Sequence, residues 1–77
     1  MYVERINLMC ALAGISQSKL ASELGISKQA LNNYIKKKNQ FSEIVRLGIL
    51  NYFDLPPKVF EQHEIHLVLK KNKLIVL

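Results

Sequence analysis

The 77 residues make at most one small domain, and a chain this short buries a modest share of its surface, so its stability margin is thin. Apolar residues at 49% and charged residues at 22% exclude wholesale disorder, and a single cysteine excludes an internal disulfide framework. Eleven Lys and Arg against six acids leave a formal charge of +5, which favours an acidic partner: nucleic acid, an anionic membrane or an acidic protein.

Val3, Ile6, Met9, Cys10 and Ala13 recur at three- and four-residue steps, which predicts an amphipathic first helix stopped by Gly14. Cys10 sits among Leu8, Met9, Ala11 and Leu12 with no charged neighbour, so it reads as a buried structural thiol. Ser16 is placed to cap a second helix with Leu20, Ala21 and Leu24 on its apolar face, and Gly25 ends it. Ser27 caps a third helix over 28–37, with Ala30, Leu31, Tyr34 and Ile35 apolar. Its remaining face carries Lys28, Gln29, Asn32, Asn33 and Lys36. A polar loop follows through Lys37, Lys38, Asn39 and Gln40. Ser42 caps a fourth helix that offers Ile44, Leu47, Gly48, Leu50 and Phe53 to a core. Leu55-Pro56-Pro57 breaks it, and Pro57 fits the first turn of a short fifth helix reaching Gln62.

The period then changes. Residues 65–69 and 74–77 read as strands around Lys70-Lys71-Asn72-Lys73, where an Asn tolerates positive φ, so a β-hairpin is expected. Ile65, Leu67 and Leu69 fall on one face of the first strand and Val68 on the other. No segment approaches the roughly 18 uninterrupted apolar residues of a membrane helix. Met1-Tyr2-Val3-Glu4-Arg5 has mixed charges, unlike a signal peptide, and a cytoplasmic protein is expected.

One spacing is specific: Gln17-x-x-Leu20-Ala21-x-x-Leu24-Gly25-Ile26-Ser27-x-x-x-Leu31-x-x-Tyr34-Ile35. Two helices that cross steeply after a turn of about three residues need a small residue at the crossing, a glycine in the turn and apolar side chains in the angle. Ala21, Gly25, and the set Leu20, Leu24, Ile26, Leu31 and Ile35 meet those needs. The pattern resembles the helix-turn-helix of the Cro/repressor (Xre-like) regulators. Ile44, Leu47 and Phe53-Asp54-Leu55-Pro56 are similar to that family's closing helices, so the resemblance spans about residues 2–62.

The resemblance implies a mostly α, five-helix DNA-binding domain over 1–62, with a C-terminal hairpin over 63–77. It places the first residues of the third helix in the major groove. Carried over by position, Ser27, Lys28, Gln29 and Asn33 face bases, and Asn32 beside them reaches a base or a phosphate. Gln and Asn pair bidentately with adenine and Lys donates to guanine, so the side-chain types fit base reading.

Gln17 opens the second helix, where backbone N–H groups favour an anion, and Lys19 reaches the same strand. Lys36, Lys37, Lys38 and Asn39, backed by Ser42 and Arg46, supply the other side of a phosphate clamp. Between Ser16 and Arg46 six basic residues stand against two acids. Alone, the lysine run reads equally as a solvated loop; its place after the recognition helix favours phosphate. The family often has a glycine in this loop, where lysines stand here.

The hairpin has apolar residues on both faces. Covering the second face needs a partner strand, so Val68, Leu74, Ile75, Val76 and Leu77 are expected in a homodimer interface. Some small phage Cro proteins dimerise through a C-terminal β element, which the resemblance extends to this hairpin. The other possibility is that both strands are buried against the helices.

His63 and His66 are a thin pair for a metal, and neither a phosphate-cradling glycine loop nor a nucleophile elbow is present. No enzyme, metal or cofactor is expected, and the partner expected is a double-stranded DNA operator bound by a dimeric repressor. The competing expectation is a protein-interaction module (an antitoxin, antirepressor or inhibitor) that uses the same fold on a protein partner.

Overall fold

Serine caps and left-handed C-termini set most of the element boundaries. The structure, a computed structural model, describes residues 2–36 and 42–77. Helix α1 covers Arg5–Ala13, α2 Gln17–Leu24, α3 Lys28–Lys36, α4 Glu43–Phe53 and α5 Lys58–Glu61; strands β1 and β2 cover Leu67–Lys70 and Lys73–Val76.

Gly14 and Gly25 end α1 and α2 at φ 73° and 74°, the left-handed conformation that glycine takes without a Cβ penalty. Each stop is followed by a return bond, Ile15 N–H to Cys10 C=O at 3.1 Å and Ile26 N–H to Ala21 C=O at 3.0 Å. Ser16 Oγ accepts from Lys19 N–H, and Ser27 Oγ from Ala30 N–H, both at 3.0 Å. Ser42 stands at the N-cap of α4 but makes no side-chain cap bond. Asp54, not the proline pair, terminates α4: it sits at φ 56° and Leu55 N–H returns to Leu50 C=O at 2.9 Å. Pro57 precedes α5 as its N-cap, so that single turn is shorter at both ends than expected.

One hydrophobic cluster runs from Val3 to Leu74 and includes Ile6, Met9, Leu20, Ala21, Leu31, Ile49, Val59 and Phe60. Helix α4 contributes Val45, Ile49, Leu50 and Phe53. That corrects the expected phase of this helix: Ile44 is 82% exposed and Leu47 51%. Because α4 is apolar on more than one side, its hydrophobic period does not choose a face; the 45, 49, 53 row is the one the neighbouring helices cover.

The strands pair antiparallel, Leu67 with Val76, Val68 with Ile75, Leu69 with Leu74 and Lys70 with Lys73. Lys71 and Asn72 form the turn at φ 53° and 63°, the positive pair that lets a two-residue hairpin follow the strand twist. Leu67, Leu69, Leu74 and Val76 share one face, on which Leu74 is 4% exposed and Leu67 packs on the core while Leu69 is 46% exposed. Val68 and Ile75 lie on the opposite face, and Leu77 is 71% exposed. Lys73 Nζ meets Asp54 Oδ2 at 2.6 Å, so the hairpin turn is tied to the end of α4.

Arg5 fastens the N-terminal helix to the end of α5. Its guanidinium donates to the carbonyls of Val59 (2.9 Å), Gln62 (2.6 Å) and His63 (2.6 Å) and lies over the Tyr2 ring. Val59 lies in the one-turn α5 and Gln62 and His63 follow it; carbonyls at a helix end lack intrahelical donors, and a cation suits them. His63 Nδ1 is 2.8 Å from the Tyr2 hydroxyl.

Candidate nucleic-acid interface

Helix α3 is anchored by Leu31 and Ile35, both buried, with Ala21 of α2 closed into the same core. That fixes which face looks outward. Ser27, Lys28, Gln29, Asn33 and Lys36 are exposed and Asn32 is half-buried, so the structure collects the expected base-facing residues along one side of a rigid element. The first turn of α3 holds no acid. Ser27 Oγ is already an acceptor for Ala30 N–H, which leaves its hydroxyl hydrogen to donate outward.

The expected phosphate residues are less alike than their sequence suggests. Gln17 begins α2 half-buried, and its Nε2 donates to Asn7 Oδ1 on α1. Lys19 pairs with Glu23 at 3.0 Å, a contact that raises the lysine pKa by hydrogen bond and charge. Both side chains are exposed, so the pair contributes little and either partner can be exchanged. Lys36 is exposed at the last position of α3, and Ser42 is half-buried. Lys37, Lys38 and Asn39 lie outside the described residues.

Arg46 stands apart from the rest. Its side chain is 11% exposed and engages Glu43 at 2.7 Å and Glu61 at 3.7 Å. The guanidinium holds the Glu43 carboxyl below its ordinary range, and the carboxylates raise the arginine in turn. Two acids therefore already claim the charge that the sequence assigned to a phosphate, and Arg46 links α4 to α5.

Two residues escaped the sequence reading. Asn7 is polar on an otherwise apolar stretch of α1 with nothing in the chain order to connect it to Gln17, ten positions away. Arg5 looks like an ordinary surface cation until the carbonyls at the end of α5 are placed beside it. Leu74, expected at a dimer interface, is closed inside its own chain's core.

The geometry is that of two successive packed helices, the second of which carries an outward face of lysines and amides. A family model described as Helix-turn-helix matches residues 7–60, well over half of the chain. The chain belongs to this helix-turn-helix family, of the Cro/Xre type, whose members are DNA-binding regulators. No curated protein and no solved structure gave a match. Among the described residues no helix is long and apolar enough to cross a membrane.

Proposed function

We propose that the chain is a dimeric transcriptional repressor that reads a two-fold operator with the N-terminal half of α3 in the major groove. One observation carries this reading: α3 is clamped by Leu31 and Ile35 while Lys28, Gln29 and Asn33 stand exposed together, with no carboxylate in the first turn. Amides and lysines at those positions can donate to and accept from base edges, and a nearby carboxylate would repel the backbone. Ser27 and Asn32 flank them.

Gln17, Lys19, Lys36 and Ser42, with Lys37, Lys38 and Asn39, contact phosphates on the two sides of the recognition helix. Arg46 supports that clamp from behind by holding α4 to Glu61. Residues 63–77 bring two copies together through Val68, Ile75 and Leu77, with Val76 at the strand edge.

Selection of bound sequences from a random DNA pool tests the reading, and an enriched two-fold motif is expected. Gln29→Ala or Asn33→Ala should then cost about 1–3 kcal/mol of discrimination at one base pair per half-site. Affinity for random DNA should survive. Equal losses on selected and random DNA would contradict base reading by α3. A pool that yields no motif, together with a protein target engaged through the exposed Ile44 and Leu47, would favour the interaction-module alternative.

A further inference from the structure

The tip of the hairpin breaks the rules of its own element. Lys70 and Lys73 stand directly opposite each other across the two strands, and like charges so placed oppose pairing. Lys71 holds φ 53°, a left-handed conformation that suits Gly or Asn and strains a lysine. A turn built for stability alone would carry Asn-Gly at its centre and opposite charges at 70 and 73. Among the described residues Asp54 alone pairs with this group, through Lys73 at 2.6 Å. That contact offsets part of the cost and leaves Lys70 and Lys71, both exposed.

Local rules broken without a matching gain inside the chain point to a site. The hairpin lies outside residues 7–60, so the helix-turn-helix match does not account for it. Its place in the fold suggests the partner. Asn72 and Lys73 line one groove with Ala13 and Ile15, which puts the tip against the turn between α1 and α2. Gln17 and Lys19, on the α2 side of the phosphate clamp proposed above, follow within four residues of Ile15. The tip itself, Lys70-Lys71-Asn72-Lys73, holds no apolar side chain. A protein interface or a membrane surface needs apolar anchors, whereas a DNA backbone needs only cations and donors.

We propose that the hairpin tip is a second DNA-backbone contact: Lys70 and Lys71 bind phosphates alongside the half-site that α3 reads. This rests on the DNA reading above. The polyanion then relieves the repulsion between Lys70 and Lys73 that the free chain carries. The contact is to the backbone, so it is blind to sequence. Each lysine that meets a phosphate releases a counterion, so the contact is written into the salt dependence of binding.

The test compares wild type with Lys70→Gln, Lys71→Gly, both together, and the charge-keeping Lys70→Arg. Affinity is measured against salt on random DNA and on a duplex with one selected half-site and its flanks, so that dimer formation does not enter. Each neutral variant should lower the salt slope by about 0.9 and the double variant by about 1.8, on both DNAs. The gap between wild type and the double variant should therefore shrink about tenfold between roughly 50 and 200 mM salt. Base preference should not change, and Lys70→Arg should bind as wild type does. Thermal melting supplies the second readout. Lys70→Gln removes the like-charge pair and Lys71→Gly the strained φ, so both should melt above wild type. A firmer fold with weaker binding is a combination that a merely structural role for these lysines does not produce. Unchanged salt slopes, or weaker binding that tracks a lower melting temperature, would overturn the proposal while leaving the DNA reading in place. A wild-type chain that binds no DNA at all would overturn both.

Discussion

Ala21 and Gly25 set the meeting of α2 and α3 by opposite means. Ala21 is 1% exposed on α2, which packs against α3, so a larger side chain there has to displace core neighbours. Gly25 has open space around it, and a Cβ placed there would meet no atom within 4 Å, so backbone conformation alone demands glycine. Ala21→Leu is therefore an overpacking change, expected to cost about 1–3 kcal/mol. Gly25→Ala is a left-handed-conformation change without a clash, expected to cost about 1–2 kcal/mol. Urea titration separates the mechanisms when combined with a relaxing second change. Leu31→Val beside Ala21→Leu should recover part of the loss, and the same change beside Gly25→Ala should recover none. Both residues were legible in the sequence because each obeys a local rule of size or φ. Asn7, Arg5 and Arg46 were not, because their roles depend on partners 10 to 58 positions away that no local pattern names.

Elements obey the same division. The glycine stops at Gly14 and Gly25 and the serine caps at Ser16 and Ser27 fix the end of α1, both ends of α2 and the start of α3, since capping is decided within one turn of chain. Helix α4 resisted, because apolar residues surround it and only its neighbours select the buried row. Gly48 lies on that helix, and a Cβ there would meet Leu24 Cδ2 at 3.1 Å. The obstacle is the tip of a half-buried side chain beside open space, so Leu24 can turn aside. Gly48→Ala should then gain most of the roughly 1 kcal/mol of helix propensity that separates the two residues. A lower melting temperature would show that Leu24 cannot yield.

The tie between α4 and the hairpin has a pH signature. Lys73 holds the Asp54 carboxyl below its ordinary value by hydrogen bond and charge. A carboxyl lowered in the folded state adds stability above its unfolded pKa of about 4, and that stability disappears as pH falls through the lower folded pKa. Asp54→Asn removes the titration while keeping a residue suited to φ 56°. The difference in urea midpoint between wild type and variant should therefore change between about pH 6 and pH 2, with wild type losing ground as acid is added. Parallel profiles would mean that the ion pair does not couple to folding.

At the scale of the whole molecule, the hairpin divides its apolar residues between two tasks. Leu67 and Leu74 close the core of their own chain, while Val68 and Ile75 lie half-buried on the other face and Leu77 is exposed, the residues that the dimer proposal assigns to a second copy. Charging an inward position such as Leu74 would unfold the hairpin and say nothing about association. Ile75→Lys is the informative change. It lies beside Lys70 and Lys73 on the outer face, where one more cation is tolerated in a monomer. In a two-fold interface it would face its own copy's charge, a repulsion at the centre of the contact. Sedimentation at micromolar concentration should give a dimer for wild type and a folded monomer for Ile75→Lys. Affinity for a complete operator should fall far more than affinity for one half-site, because the variant loses the linkage between two sites and none of the contacts within either. A wild-type monomer would end the tail-dimer proposal, and so would a dimer indifferent to Ile75→Lys. The recognition face of α3 would still stand in both cases, since Leu31 and Ile35 hold it from within a single chain.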